Sequence, residues 1–243
     1  MSSNEIRAAI FDIDGTLVDS VDLHARSWKE IFAAYGKLVP FEEVRRQIGK
    51  GSDQLIPVFF SAEEIRRFGK EMEEARGRLF RSRYLPLVRP FPKTRELFQR
   101  LRDDGVQIAL ASSASREDLD EYTRLARIQD LVDERITADD VGKSKPHPDV
   151  FEMALEALGR PDPANVTVVG DTPYDVQAGR KAGLDTVGVL SGGFSKEELR
   201  GAGAVAIYRD VEDLLVHYEE SPLGGRADEM FLGRLAPHTR SRM

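Results

Sequence analysis

Five short apolar runs constrain the fold of this chain more than any other feature: Ala8–Phe11, 106–111, 166–169, 186–190 and 204–208, rich in Val, Ile and Ala. A weaker run, 135–137, lies between the second and third. The runs are largely continuous, so they predict strands buried on both faces. Amphipathic stretches separate them: Thr94–Asp103, 149–158 and 175–182, with 211–218 reading as a closing helix. Strands that need cover on both faces, joined through helices, are satisfied by a parallel sheet between two helical layers. The expected fold class is α/β, a doubly wound Rossmann-like parallel sheet.

The interval between the first two runs breaks this rhythm. About 90 residues separate Asp14 from Val106, far more than a βα crossover uses. Most of them are helix-patterned, over 23–35, 41–48, 53–60 and 62–84, with Gly36, Pro40, Gly49 and Gly51 as punctuation. The prolines of 84–92 mark a return linker, since proline stops helices. The domain expectation is a discontinuous core, 1–19 and 87–218, interrupted by an all-α helical cap at 20–86. Residues 219–243 carry Gly224-Gly225, several arginines and no clear period, and read as a tail.

In doubly wound sheets, ligands bind at the carboxyl ends of the strands. The first run ends in Asp12-Ile13-Asp14-Gly15-Thr16, and the second in Ser112-Ser113. The third leads to Lys143-Ser144-Lys145-Pro146, and the fourth ends in Gly170-Asp171-Thr172-Pro173-Tyr174-Asp175. One rim thus collects carboxylates, hydroxyls and an ammonium. Hard carboxylate oxygens suit Mg²⁺. A lysine balances phosphate charge, a hydroxyl donates to a phosphoryl oxygen, and a carboxylate can serve as nucleophile. The chain has no cysteine, so thiolate nucleophiles and thiolate metal ligands are excluded. Each residue also has a plain structural alternative. Asp14-Gly15 reads as a turn, Ser112, Ser113 or Ser115 as a helix cap, and Asp175 as an acid in a first helical turn. Pro146 predicts a helix start at the rim, which favours Lys145 over Lys143.

These four ordered motifs, with Lys145-Pro146-His147-Pro148-Asp149 as the third, resemble those of the haloacid dehalogenase superfamily of phosphohydrolases, in the branch with a helical cap after the first motif. The resemblance runs from Ile6 to about Tyr218. It implies Asp12 as nucleophile and Asp14 as general acid and base. It implies Ser112, with Ser113 beside it, and Lys145 as phosphate binders. It implies Mg²⁺ held by Asp12, the backbone carbonyl of Asp14 and Asp171, with Asp175 a direct or supporting carboxylate. An acid beside an anionic neighbour holds its proton longer, so Asp14 is expected to titrate high. In the cap, His24 is placed near the site mouth, Trp28 reads as core, and Lys50 in the Gly49–Gln54 turn reads as a possible contact to an acidic leaving group.

Within the superfamily, Asp14 favours phosphoryl chemistry over dehalogenation. Gly170, where sugar phosphomutases carry glutamate, favours hydrolysis over mutation. The chain is most similar to the phosphoglycolate phosphatase group. Phosphoglycolate is the first substrate expected and sugar phosphates the next; a β-phosphoglucomutase-like mutase and a phospho-aspartate receiver-like switch are the alternatives. The formal charge of −7 argues against nucleic acid and anionic membranes as partners. No apolar stretch approaches the roughly 20 residues of a membrane span, and no secretory pattern opens the chain. A cytoplasmic monomer or homodimer acting on a small phosphorylated metabolite is the expectation.

Overall fold

The computed structural model describes residues 8–224. β1 (Ala8–Phe11) opens the chain and is followed by the two-residue β2 (Val18–Asp19). Four helices come next: α1 (Val21–Ala34), α2 (Phe41–Arg45), α3 (Ser52–Phe59) and α4 (Ala62–Leu79). The chain returns through β3 (Arg89–Pro90) to α5 (Thr94–Asp103), β4 (Gln107–Ala111), α6 (Arg116–Ala126) and β5 (Glu134–Ile136). It then runs through α7 (Asp149–Ala157), β6 (Val166–Gly170), α8 (Pro173–Lys181) and β7 (Asp185–Val189). It closes with α9 (Lys196–Ala202), β8 (Ala206–Tyr208) and α10 (Val211–Val216).

Six strands form one parallel sheet in the order β5-β4-β1-β6-β7-β8. Successive side chains of β1 enter opposite cores, as the strand period of two requires. Ala9 and Phe11 join the core built with Leu97, Phe98 and Leu101 of α5, Leu119 and Tyr122 of α6, and Leu214 of α10. Ala8 and Ile10 join the core built with Val150, Phe151 and Ala154 of α7 and Ala178 of α8. This two-faced burial is why the strand sequences are continuously apolar, and it meets the α/β expectation.

Helices α1 to α4 share a third core around Ala25, Trp28, Phe32, Leu55 and Met72. The two crossings between this helical layer and the sheet are joined, because β2 and β3 pair antiparallel, Val18 with Pro90 and Asp19 with Arg89. Two residues per strand are too few to show a period, so this ribbon leaves no sequence signal.

Several boundaries differ from the sequence reading for local reasons. The stretch 62–84 is α-helical only to Leu79 and then widens into a π-helical turn, Phe80–Tyr84. Pro86 has no amide hydrogen to continue the helix, and the chain tightens into a 3-10 turn, Leu85–Leu87. Helix α8 begins two residues earlier than expected, because Thr172 and Asp175 form a reciprocal capping box with Pro173 in the first turn. Pro146 does not start a helix; α7 begins at Asp149, with Pro148 as its cap. α9 begins with a Ser195/Glu198 capping box that the strand-and-helix reading passed over. The tail expectation falls mainly on residues 225–243, outside the described residues; before them, Tyr218–Glu220 and Pro222–Gly224 form short turns with Leu223 buried. No helix of the described residues is long and apolar enough to cross a membrane.

Phe98 lies beneath the sheet with its ring centroid 4.7 Å from that of Phe11. Phe98→Ala is expected to destabilise the fold by about 3–5 kcal/mol, through lost burial and a residual cavity. Leu38→Ala, at a side chain 90% exposed, is expected to stay within about 0.5 kcal/mol. Urea midpoints of the two variants check the contrast.

Candidate active site

The sheet order places β1 between β4 and β6, so the connections leaving these strands diverge at one crevice above their carboxyl ends. The ladder continues one residue past β1, since Asp12 N–H donates to the Val169 carbonyl at 2.9 Å. That bond holds the Asp12 side chain at the rim. Gly15 then takes φ +86°, and its amide donates to Val18 O, closing the turn that carries Asp14.

Lys145 organises the rim. Its side chain is fully buried, and its ammonium lies 2.5 Å from Asp12 Oδ1 and 2.8 Å from Asp175 Oδ1. It also donates to the Ala111 carbonyl at the end of β4, at 2.8 Å. Lys143, by contrast, is exposed. Burial alone would pull the Lys145 ammonium down; Asp12 and Asp175 outweigh burial and hold it well above its ordinary value. Asp175 has both readings at once. Its Oδ2 caps α8 by accepting from Thr172 N–H and Oγ1, while Oδ1 faces Lys145.

Asp12, Asp171 and Asp175 bring oxygens within 4.8 Å of one another. Asp171 Oδ1 accepts from Thr16 Oγ1 at 3.0 Å, whereas its Oδ2 is buried without a partner. The backbone leaves room around that oxygen. A Cβ at Gly15 would stand 2.4 Å from Asp171 Oδ2 and one at Gly192 1.6 Å from it. Three carboxylates face one ammonium, a deficit of two positive charges. Burial raises Asp12 to about 7, and Asp175 and Asp14 add to the rise while Lys145 opposes it. Burial likewise lifts Asp171, with Asp12 and Asp175 adding to it. An orphaned oxygen, an open cradle, hard donors and a twofold charge deficit fit a divalent cation such as Mg²⁺.

Asp14 corrects the sequence expectation. Burial pushes its carboxyl up, but His24, Ser20 and Arg76 outweigh burial and leave it below the usual range. Ser20 Oγ donates to Asp14 Oδ1 at 2.5 Å, and His24 Nε2 lies 2.7 Å from the same oxygen. His24 is buried, stacked on Phe80 at 4.1 Å, within 3.0 Å of Tyr122 Oη, and bonded through Nδ1 to Arg76. The acid whose proton affinity rises beside anionic neighbours is therefore Asp12. Trp28, one turn from His24, lies in the helical-layer core.

Ser112 is fully buried and its Oγ accepts from Ala114 N–H; it does not cap α6, a role that Ser115 takes. Ser113 Oγ donates to the Gly49 carbonyl across the gap to the helical layer. The turn at Gly49–Asp53 is held to the sheet side by Gly51 N–H to Ser144 Oγ at 2.9 Å, and by Asp53 to Ser144. Lys50 reaches this gap, but its ammonium is engaged by Gln47 Oε1 at 2.6 Å and lies over the Tyr174 ring. Between the layers is a cavity of about 390 Å³ whose wall includes Asp12, Asp14, His24, Lys50 and Ser113, and further out Arg76, Arg81 and Asp118. Arg76, Tyr122 and Asp118 escaped the sequence reading, because in helices rich in charge nothing in spacing separates an inward side chain from a solvated one.

Residues 9–189 match the family model described as haloacid dehalogenase-like hydrolase. A phosphorylated carbohydrates phosphatase of Thermotoga maritima is 29% identical over 87% of this chain and 98% of its own length. A phosphoglycolate phosphatase of Aquifex aeolicus is 29% identical over 77% and 86%. A hydrolase from Pseudomonas syringae superposes with a TM-score of 0.78 at 29% identity, covering 88% of this chain and 98% of that one.

The raised Asp12 pKa links the rim to stability. Its folded value of about 7 exceeds the ordinary 3.8. The protonated form therefore favours folding: that contribution is complete below the lower value and is lost as pH rises through the higher one. In EDTA, Asp12→Asn is expected to melt several degrees above the wild-type chain near about pH 8, with the gap closing toward about pH 4. Equal melting temperatures at the alkaline end would contradict the assignment.

Proposed function

The chain belongs to the haloacid dehalogenase-like hydrolase family and is a phosphatase of it, and from that premise we propose that it hydrolyses a small phosphomonoester with Mg²⁺ through an aspartyl-phosphate on Asp12. The observation that carries this reading is the buried ammonium of Lys145, 2.5 Å from Asp12 Oδ1, with Asp12 in the wall of the cavity between the layers. A carboxylate held in one orientation beside a fixed cation is poised for attack on phosphorus.

Asp12, Asp171 and the Asp14 backbone carbonyl would hold the cation, with Asp175 in support because Thr172 and Lys145 already occupy its oxygens. When bound, Mg²⁺ supplies charge neutralisation around the phosphoryl group. The Asp12 oxygen forms a bond to phosphorus as the bond from phosphorus to the leaving oxygen breaks. Lys145 and the hydroxyls of Ser112 and Ser113 hold the phosphoryl oxygens. Asp14 delivers a proton to the leaving oxygen. As a carboxylate it then takes a proton from the water that attacks phosphorus, which releases orthophosphate and restores Asp12. His24 and Ser20 hold the Asp14 carboxyl below the usual range, which suits it to the water step, where the carboxylate is needed. A phosphate dianion drawn against it raises its proton affinity for the first step.

Helices α1 to α4 act as the cap that excludes water during transfer. Residues His24 and Lys50 belong to it, His24 orienting Asp14 and Lys50 bracing the turn against Tyr174. A cavity of about 390 Å³ accommodates either phosphoglycolate or a phosphorylated carbohydrate. Packing disfavours the mutase alternative. A Cβ at Gly170 would meet Asp175 Cβ at 2.6 Å, so the mutase glutamate is incompatible with Asp175 where it stands.

Turnover of phenyl phosphate with Mg²⁺ is expected to fall on the order of 10³-fold or more in Asp12→Asn, and roughly 10²–10⁴-fold in Asp14→Asn. EDTA is expected to abolish it and added Mg²⁺ to restore it. Undiminished turnover in Asp12→Asn, or in EDTA, would refute the mechanism.

A further inference from the structure

In the cavity wall, one carboxylate has charged neighbours in Arg76 and Arg81 but a buried oxygen with no hydrogen bond. Asp118 is 2% exposed, its Oδ1 is buried without a hydrogen-bond partner, and it lines the cavity. The nearest cation is Arg81 Nη1, 3.9 Å away, itself shared with the exposed Glu117 at 3.4 Å. Asp118 occupies the third position of α6 after the Ser115 cap. At the same position after other caps, Glu64, Asp140, Asp175 and Glu198 all bond back to the cap backbone. No reciprocal box forms at Ser115, and the Asp118 carboxylate belongs to the cavity wall instead.

Arg76 of α4 also lines the cavity. Its guanidinium lies over the rings of Phe80 and Trp28, its Nη2 is bonded to His24, and its Nε is buried without a partner. A free acceptor and a free donor therefore share the wall of the leaving-group chamber. Leaving buried groups unpaired costs stability unless something pairs them. Beyond Asp12, Asp14 and Lys50, the charged wall adds Glu73, Glu74 and Asp139. Four acids against the two guanidiniums of Arg76 and Arg81 make this part of the wall unfavourable for an anion.

We propose that Asp118 and Arg76 form a subsite for the hydroxyl groups of an uncharged, polyhydroxylated leaving group, so that the preferred substrates are monophosphates of sugars or polyols rather than of hydroxy acids. This rests on the phosphatase reading and decides its substrate class. Asp118 accepts from a hydroxyl, Arg76 Nε–H donates to one, and a leaving group carrying its own carboxylate is repelled by Asp118. A site built to bond a hydroxyl discriminates strongly, because a substrate without it leaves the site's polar groups unpaired.

The test compares glucose 6-phosphate, phosphoglycolate and phenyl phosphate on the full chain with Mg²⁺. The wild-type chain is expected to favour glucose 6-phosphate over phosphoglycolate in kcat/KM. Asp118→Leu is expected to lower kcat/KM for glucose 6-phosphate by about tenfold or more, mostly through KM, with a several-fold smaller effect on phenyl phosphate and with phosphoglycolate least affected or improved. Asp118→Asn, which keeps the shape, is expected to narrow the same preference should the leucine variant fail to fold. A wild-type preference for phosphoglycolate would overturn the proposal, as would an equal effect of both variants on all three substrates. Calorimetric Kd values for the same ligands, measured in an Asp12→Asn background with and without Asp118→Asn, read the subsite without turnover. Should no ester be hydrolysed at all, the phosphatase mechanism falls, while the ratio of those Kd values still decides the role of Asp118.

Discussion

The buried ammonium of Lys145 is the interaction on which the rest of the site depends. Asp12 follows β1, Asp171 and Asp175 follow β6, and the three carboxylates converge in a space closed to solvent. Carboxylates in such a place are costly to bury unpaired. Lys145 approaches from the loop beyond β5 and touches two of the three, and it is held in turn by the last carbonyl of β4. One side chain thus ties the ends of three strands to a loop. It compensates only part of the negative charge, and the remaining deficit of two suits the rim to a divalent cation.

A second network joins the sheet to the helical layer. Asp14 stands on the loop after β1, Ser20 and His24 on the entry to α1, Tyr122 on α6, and Arg76 on α4. Because Asp14 takes its partners from the helical layer, its protonation is coupled to where that layer sits. Asp12 takes its partners from the sheet side alone. Two aspartates two residues apart are consequently shifted in opposite directions from the ordinary carboxylate value.

Much of this was legible in sequence, and the reasons are specific. The continuous apolar runs at Ala8–Phe11 and 166–169 exist because neighbouring side chains of each strand enter different cores, so two-sided burial is written directly into composition. The Asp-Gly turn is legible because the backbone at Gly15 takes a positive φ. Lys145 could be separated from Lys143 only by its neighbour Pro146, and the structural reason proved different, since Pro146 starts no helix while Lys145 is buried and Lys143 exposed. The β2–β3 ribbon and the outer wall of the cavity left no trace. Arg76 and Asp118 look like any charge on an amphipathic helix, and only the neighbouring elements turn them inward.

What the sequence alone determined is the order of chemical groups along the chain and the alternation that forces a parallel sheet, because both follow from local spacing and from which faces must be buried. The tertiary structure decided how those groups share charge. Which aspartate is raised and which lowered depends on through-space distances to Lys145, His24 and Ser20, contributed by segments far from β1 or on the far side of the turn. Spacing alone led to a raised Asp14; through-space burial and charge raise Asp12 and lower Asp14 instead.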